Sequence, residues 1–283
     1  MTTMNTPLIS AAQLRTLCEA GDAPVLIDTR FDLTDTQAGE RAWHEGHLPG
    51  AHYLHLDRAL SGAKTGQNGR HPLPTRADFS QTLGRIGITP ERQVVVLDAQ
   101  GGMFAARAWW LLLWMGHAPV AVLDGGLAAW AEAGGSLTTT PPPPNSAPPY
   151  PQRPALAGTL DADTLQAQLG RVRLIDARAG ERFRGEVEPL DAQAGHIPGA
   201  SHRFFKDNLA ADGRFKPAAQ LRAEFAALLG AATPENTVHQ CGSGVTACHN
   251  LLAMAQAGLP GSRLYAGSWS EWSAAPARPV ARG

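Results

Sequence analysis

The sequence predicts an α/β protein built from two tandem domains, each a mostly parallel sheet flanked by helices. Three observations carry that expectation. The chain repeats itself with a period of about half its length, a proline-rich stretch separates the copies, and within each copy short Val/Ile/Leu runs alternate with helical patterns.

The elements follow in order. Val25-Leu26-Ile27-Asp28-Thr29-Arg30 is an apolar strand ending in a carboxylate and an arginine, and it returns as Val172-Arg173-Leu174-Ile175-Asp176-Ala177-Arg178. Gly46-His47-Leu48-Pro49-Gly50-Ala51 returns as Gly195-His196-Ile197-Pro198-Gly199-Ala200, at nearly the same distance from the preceding strand. Val94-Val95-Val96-Leu97 reads as a buried strand, and residues 107–115 and 218–229 read as helices. Asp124-Gly125-Gly126-Leu127-Ala128-Ala129-Trp130 answers Tyr265-Ala266-Gly267-Ser268-Trp269-Ser270-Glu271-Trp272. Residues 138–154 hold Pro141-Pro142-Pro143-Pro144 and Pro148-Pro149, which can neither continue a helix nor donate into a sheet. The expected organisation is therefore residues 1–137, an extended linker over 138–154, and residues 155–283.

Features present in both copies read as architecture. Asp28 with Arg30 and Asp176 with Arg178 suit a structural ion pair, and His47 and His196 sit in turn chemistry.

With 283 residues, 43% hydrophobic and 17% charged, the chain can bury two cores and has the balance of a globular protein. A net charge of -1, with no run of like charges, predicts neither nucleic acid nor an anionic membrane as partner. No stretch approaches the roughly 20 apolar residues of a membrane span, and residues 1–8 lack a basic start followed by an apolar core, so a cytoplasmic location is expected. Cys18, Cys241 and Cys248 are too few and too scattered for a disulfide framework or a zinc site, and they read as reduced thiols. Cys248 lies two turns along the helix expected after Cys241 and reads as a packed small hydrophobe.

Chemistry is expected where the copies diverge. After its Val94–Leu97 strand the first copy reads Asp98-Ala99-Gln100-Gly101-Gly102-Met103-Phe104, whereas after Thr237-Val238-His239-Gln240 the second reads Cys241-Gly242-Ser243-Gly244-Val245-Thr246-Ala247. If a strand ends at Gln240 and a helix opens at Val245, Cys241 sits where backbone amides converge on a helix N-terminus. Such a site favours the thiolate.

Two copies, Gly-His-x-Pro-Gly-Ala in each, a proline-rich linker and a single Cys-Gly-Ser-Gly-Val-Thr-Ala loop together resemble the two-domain sulfurtransferases of the rhodanese superfamily, over essentially the whole chain. The resemblance implies two rhodanese-like domains, the second catalytic. Gly242-Ser243 is similar to the 3-mercaptopyruvate branch, since the thiosulfate enzymes carry an Arg-Lys pair there. The physics agrees, because thiosulfate is a small dianion that benefits from cations and this loop has none. The resemblance further implies a relay of Ser243 with Asp57 and His71 that polarises the substrate carbonyl or delivers a proton, so that both halves build one site. Read by itself, His71 is a surface-loop histidine. Arg182 falls on a family substrate-anchoring position, whose guanidinium fork suits a carboxylate; a second arginine is expected just before Asp191, where Leu190 stands. Arg184, Arg203 or Lys206 could substitute.

The implied reaction is ping-pong. The Cys241 thiolate takes the outer sulfur of 3-mercaptopyruvate, pyruvate leaves, and a thiol, cyanide or thioredoxin accepts the sulfur from the persulfide. Amides of Gly242, Ser243, Gly244, Val245 and Thr246 would cradle that persulfide. No metal and no organic cofactor is implied, because the protein's own sulfur carries the group. Alternatives are a thiosulfate:cyanide sulfurtransferase and a carrier module that hands persulfide to a partner without turnover. A Cys-x5-Arg phosphatase is disfavoured, since Ala247 stands where the arginine would be.

Overall fold

Four-residue apolar runs become central strands because each must be covered on both faces, which parallel sheets between helices provide. The computed structural model describes residues 6–143, 145 and 148–283. It divides into two units, residues 1–61, 74–156 and 211–215 forming one, and 62–73, 157–210 and 216–283 the other.

The first unit runs β1 (Leu8–Ile9), α1 (Ala11–Glu19), β2 (Val25–Asp28), α2 (Ala38–Glu45), β3 (Ala51–Tyr53), α3 (Arg76–Arg85), β4 (Val94–Leu97), α4 (Ala105–Trp114), β5 (Val120–Leu123) and α5 (Gly126–Glu132). Its sheet has the order β1-β5-β4-β2-β3, with every neighbour parallel. The second unit runs β6 (Thr159–Leu160), α6 (Ala162–Gln168), β7 (Arg173–Asp176), α7 (Gly180–Arg184), β8 (Ser201–His202), α8 (Ala218–Leu229), β9 (Thr237–Gln240), α9 (Thr246–Gln256), β10 (Arg263–Tyr265) and α10 (Ser268–Trp272). Its sheet repeats the order, β6-β10-β9-β7-β8, again parallel throughout. The expected α/β class and the duplication are both present. Helix starts carry side-chain caps where the sequence offers them: Ser10 and Gln13 form a capping box, and Thr75 and Asp161 accept from Asp78 and Thr164 amides.

The shared motifs are structural in both units. Asp28 and Asp176 each bind the arginine two residues on, and Arg30 and Arg178 each donate to a carbonyl of the Gly-His turn, Gly46 O and Gly195 O, at 2.7 Å. His47 stacks on Trp43 and His196 on Phe183, with ring nitrogens 2.8 Å from the Trp43 and Phe183 carbonyls.

The proline-rich stretch is without helix or strand among its described residues, but it is not a free spacer. Thr138 exchanges hydrogen bonds with His47, and buried Tyr150 is held by Ser80, so residues up to 156 group with the first unit. Residues 1–5, Pro144, Ser146 and Ala147 lie outside the described residues. Among the described residues no helix is long and apolar enough to cross a membrane.

Candidate active site

β9 lies inside its sheet between β10 and β7, all four of its residues buried, so its carboxyl end delivers the next residue to the crevice where parallel sheets bind ligands. That residue is Cys241, 2% exposed. The turn after it ends at Thr246, the first residue of α9, with Val245 as an N-cap that makes no side-chain bond. Gly244 has φ +75°, and a Cβ there would meet the Ala266 carbonyl oxygen at 2.3 Å, so only glycine fits. Its N–H donates to Cys241 Sγ at 3.1 Å, an acceptor role that a thiolate fills better than a thiol.

A second segment, at the start of α10, braces the turn. Trp269 N–H donates to Cys241 O and Ser270 N–H to Gly242 O, both at 2.9 Å, while Ser268 Oγ accepts from Cys241 N–H at 3.1 Å. Cys248 packs in α9 with its thiol on Gly244 O, and none of the three cysteines is in a disulfide.

The first unit holds the same turn with a different occupant. Asp98 follows β4 as Cys241 follows β9, and Leu127 N–H donates to Asp98 O at 3.0 Å as Trp269 does to Cys241. The Asp98 carboxylate gathers four amides, from Gly102 and Gln100 at 2.9 Å, Phe104 at 2.8 Å and Ala105 at 3.0 Å. This turn is thus an anion-binding nest whose first copy is filled by its own side chain.

The segment of residues 62–73, from the first sequence half, belongs to the second unit and brings His71 with it. His71 Nδ1 lies 2.8 Å from Ser243 Oγ, both side chains buried. The surface-loop reading of His71 is therefore wrong: residues far apart in sequence enclose it. Asp57 belongs to the first unit, where its backbone N–H donates to His55 Nδ1 at 3.1 Å.

Arg182, on α7, donates to Glu188 Oε1 at 2.6 Å and to Asp191 Oδ2 at 2.9 Å. Burial pushes the Asp191 carboxyl above its usual range, against the opposing pull of Arg70. Leu190 is half-exposed and contributes only its N–H, 3.1 Å from Glu188 Oε1. The three cations weighed as substitutes are engaged or positioned elsewhere. Arg184 pairs with Glu186, Arg203 binds Glu224 and stacks on Phe225, and Lys206 is exposed in the short turn Phe205–Asn208.

Arg70 was missed from sequence. It pairs with Asp191 from the side opposite Arg182, and the nearest atoms to a Cβ built on Gly242 are Arg70 Nη2 at 2.8 Å and Arg182 Nη1 at 3.4 Å. Its one sequence signal was adjacency to His71. Ser268 and Ser270 were missed too; Ser270 Oγ accepts from Arg70 N–H at 3.0 Å. Among the described residues no group of three or more His, Cys, Asp or Glu is placed to hold a metal ion.

The rhodanese-like domain model matches residues 10–133 and 161–275. A Pseudomonas aeruginosa protein named as a probable 3-mercaptopyruvate sulfurtransferase is 51% identical over 98% of both chains. A Mycobacterium tuberculosis protein, provisionally named a thiosulfate sulfurtransferase, is 43% identical over 98% of this chain and 97% of its own. Among solved structures, the 3-mercaptopyruvate sulfurtransferase from Leishmania major superposes with a TM-score of 0.85 at 28% identity, covering 96% of this chain and 75% of that one.

Proposed function

As the chain belongs to the rhodanese-like family, we propose that it moves sulfur from 3-mercaptopyruvate to a thiol or cyanide acceptor through a persulfide on Cys241. The observation that carries this reading is the Ser243–His71 hydrogen bond two residues from Cys241. Thiosulfate would release sulfite, a stable anion that needs no proton. Mercaptopyruvate must release carbon, and a proton source beside the thiol serves that step alone.

The step balances as follows. Cys241 sulfur attacks the donor thiol sulfur and forms the S–S bond while the C3–S bond breaks. Its electron pair passes to C3 as the pyruvate enolate, whose oxygen Ser243 stabilises, and a proton relayed from His71 through Ser243 completes pyruvate. The donor's own thiol hydrogen stays on the outer sulfur until an acceptor thiolate, cyanide or a dithiol protein such as thioredoxin attacks it and Cys241 leaves as thiolate. The amides of Gly242 to Thr246 cradle the persulfide, a role supported by the four amides that the matching turn gives to Asp98. Ser243, His71 and Cys241 are the catalytic residues of this reading, with Arg182 anchoring the carboxylate. Asp57, implied by resemblance, enters no step here. The chemistry needs reduced thiols, which a cytoplasmic compartment keeps.

A second reading, thiosulfate as donor, gains from one observation: Arg70 and Arg182 bring to Gly242 the cations that the loop lacks. Mass spectrometry of donor-treated protein tests the transfer, with one added sulfur atom expected in wild type and none in Cys241→Ser. Absence of the adduct in wild type overturns the mechanism, and a clear rate preference for thiosulfate overturns the donor.

A further inference from the structure

We infer that Arg70 is a substrate-binding residue, and that its guanidinium and that of Arg182 together receive the donor's carboxylate. The inference rests on the mercaptopyruvate reading and supplies the second cation that Leu190 cannot.

Asp191 organises the pair. Its carboxylate, 3% exposed, is bridged by Arg70 Nη1 on one oxygen and Arg182 Nη2 on the other, which fixes two flexible side chains in one arrangement. Glu188 holds Arg182 a second time, and Arg70's own backbone is tied to Ser270. Each guanidinium keeps an arm turned from those partners. Arg70 Nη2 and Arg182 Nη1 point to the same glycine, within 2.8 and 3.4 Å of where its Cβ would stand. Those two side chains are 29% and 17% exposed, open to a small molecule as Asp191 is not.

The two arms converge beside the residue that follows Cys241, within reach of a three-carbon donor. With its sulfur at Cys241, an extended mercaptopyruvate has its carboxylate displaced by about one residue length, ~3.8 Å between neighbouring Cα atoms. That length matches the step from Cys241 to Gly242, on whose Cβ position the two arms converge. A side chain at Gly242 would occupy the same space, which gives the glycine a reason beyond the turn. The fork geometry of two guanidiniums matches a planar carboxylate better than a lone ammonium does.

Two donors distinguish this role from a merely structural one: 3-mercaptopyruvate, and 1-mercapto-2-propanone, in which a methyl replaces the carboxylate. In Arg70→Met the KM for mercaptopyruvate is expected to rise about 10- to 100-fold, the loss of one charge-assisted hydrogen-bonded contact, with kcat within about threefold of wild type. The kcat/KM for mercaptopropanone is expected to stay within about twofold, because that donor has no carboxylate to lose. Arg70→Lys keeps the charge on Asp191 and loses the second arm, so its mercaptopyruvate KM should rise by less, about 3- to 10-fold; it carries the same contrast if the methionine variant folds poorly. An unchanged mercaptopyruvate KM in both variants overturns the inference, and so does an equal loss with both donors. Failure of the underlying reading is seen separately, as wild-type protein that releases no pyruvate.

Discussion

His71 Nδ1 and Ser243 Oγ are hydrogen-bonded at 2.8 Å inside a single unit, although the two residues come from opposite halves of the sequence. If the bond relays a proton to the departing carbon, removing either member should damage the same step. Ser243→Ala and His71→Asn are each expected to lower kcat with mercaptopyruvate about 10- to 100-fold with little change in KM. The double variant should be little worse than either single one, because the residues act as a unit. Rates of persulfide formation with mercaptopyruvate and with thiosulfate check this, and equal losses with both donors would sink the relay.

Leu190 gives a second prediction. Glu188 already accepts from Arg178 and Arg182, Asp191 accepts from Arg70 and Arg182, and the Leu190 side chain is half-exposed. A new guanidinium there meets carboxylates whose positions are taken. The expected kcat/KM of Leu190→Arg is within about threefold of wild type, since a further exposed ion pair contributes little. A tenfold or larger improvement in steady-state assays would show that the clamp lacked a cation.

The duplication was legible because a repeated fold must repeat its strand-end ion pairs and Gly-His turns, and Asp28, Arg30, His47 and their second-copy counterparts do that work locally. The Cys241 turn was legible for the same reason, as a strand, a glycine-rich turn and a helix contiguous in sequence. What could not be read were contacts closed by tertiary folding. Arg70 meets Asp191 across more than a hundred residues, and the proline-rich stretch is pinned to the first unit by Tyr150 and Thr138. His71 carried no local sign that it would be buried; only the family resemblance singled it out. Composition and periodicity fix which face of an element is covered, not which distant polar groups meet beyond its end.

His239 makes stability depend on pH. It is fully buried in β9, with Nε2 3.1 Å from Met254 Sδ, and burial holds its pKa down to about 3. The unfolded chain, near 6.5, therefore takes up the proton first as pH falls. Stability from this group is complete above about pH 7 and drains away between about 6.5 and 3, amounting to about 2 kcal/mol lost by pH 5. His117, held down to about 4 by burial in the first unit, adds a separate loss of the same sign. Denaturant midpoints at pH 7.5 and 5 should converge in His239→Leu relative to wild type. An undiminished gap would mean that the folded state accommodates the charged ring.

Ser268 holds a backbone conformation that its side chain makes costly. Its φ is +54°, and at the corresponding place the first unit has Gly126 at +55°, so the turn itself asks only for glycine. A non-glycine residue there costs about 1 to 3 kcal/mol. The side chain offsets this by accepting from Cys241 N–H at 3.1 Å and donating to Tyr265 O at 2.9 Å, which links the Cys241 amide to the end of β10. Removing the oxygen and removing the strain can be separated. Ser268→Gly loses both hydrogen bonds but relieves the backbone, and should melt within a few degrees of wild type. Ser268→Ala keeps the strain while leaving the buried Cys241 N–H without its acceptor, and should be less stable than the glycine variant by about 1 kcal/mol or more. Both should form the persulfide more slowly than wild type, because the Cys241 amide then loses the hydroxyl that fixes it. Thermal melts and single-turnover persulfide formation measure the two effects independently. An alanine variant as stable as the glycine one would show that the positive φ carries no cost, and an unchanged rate in both would show that Ser268 does not position the thiol.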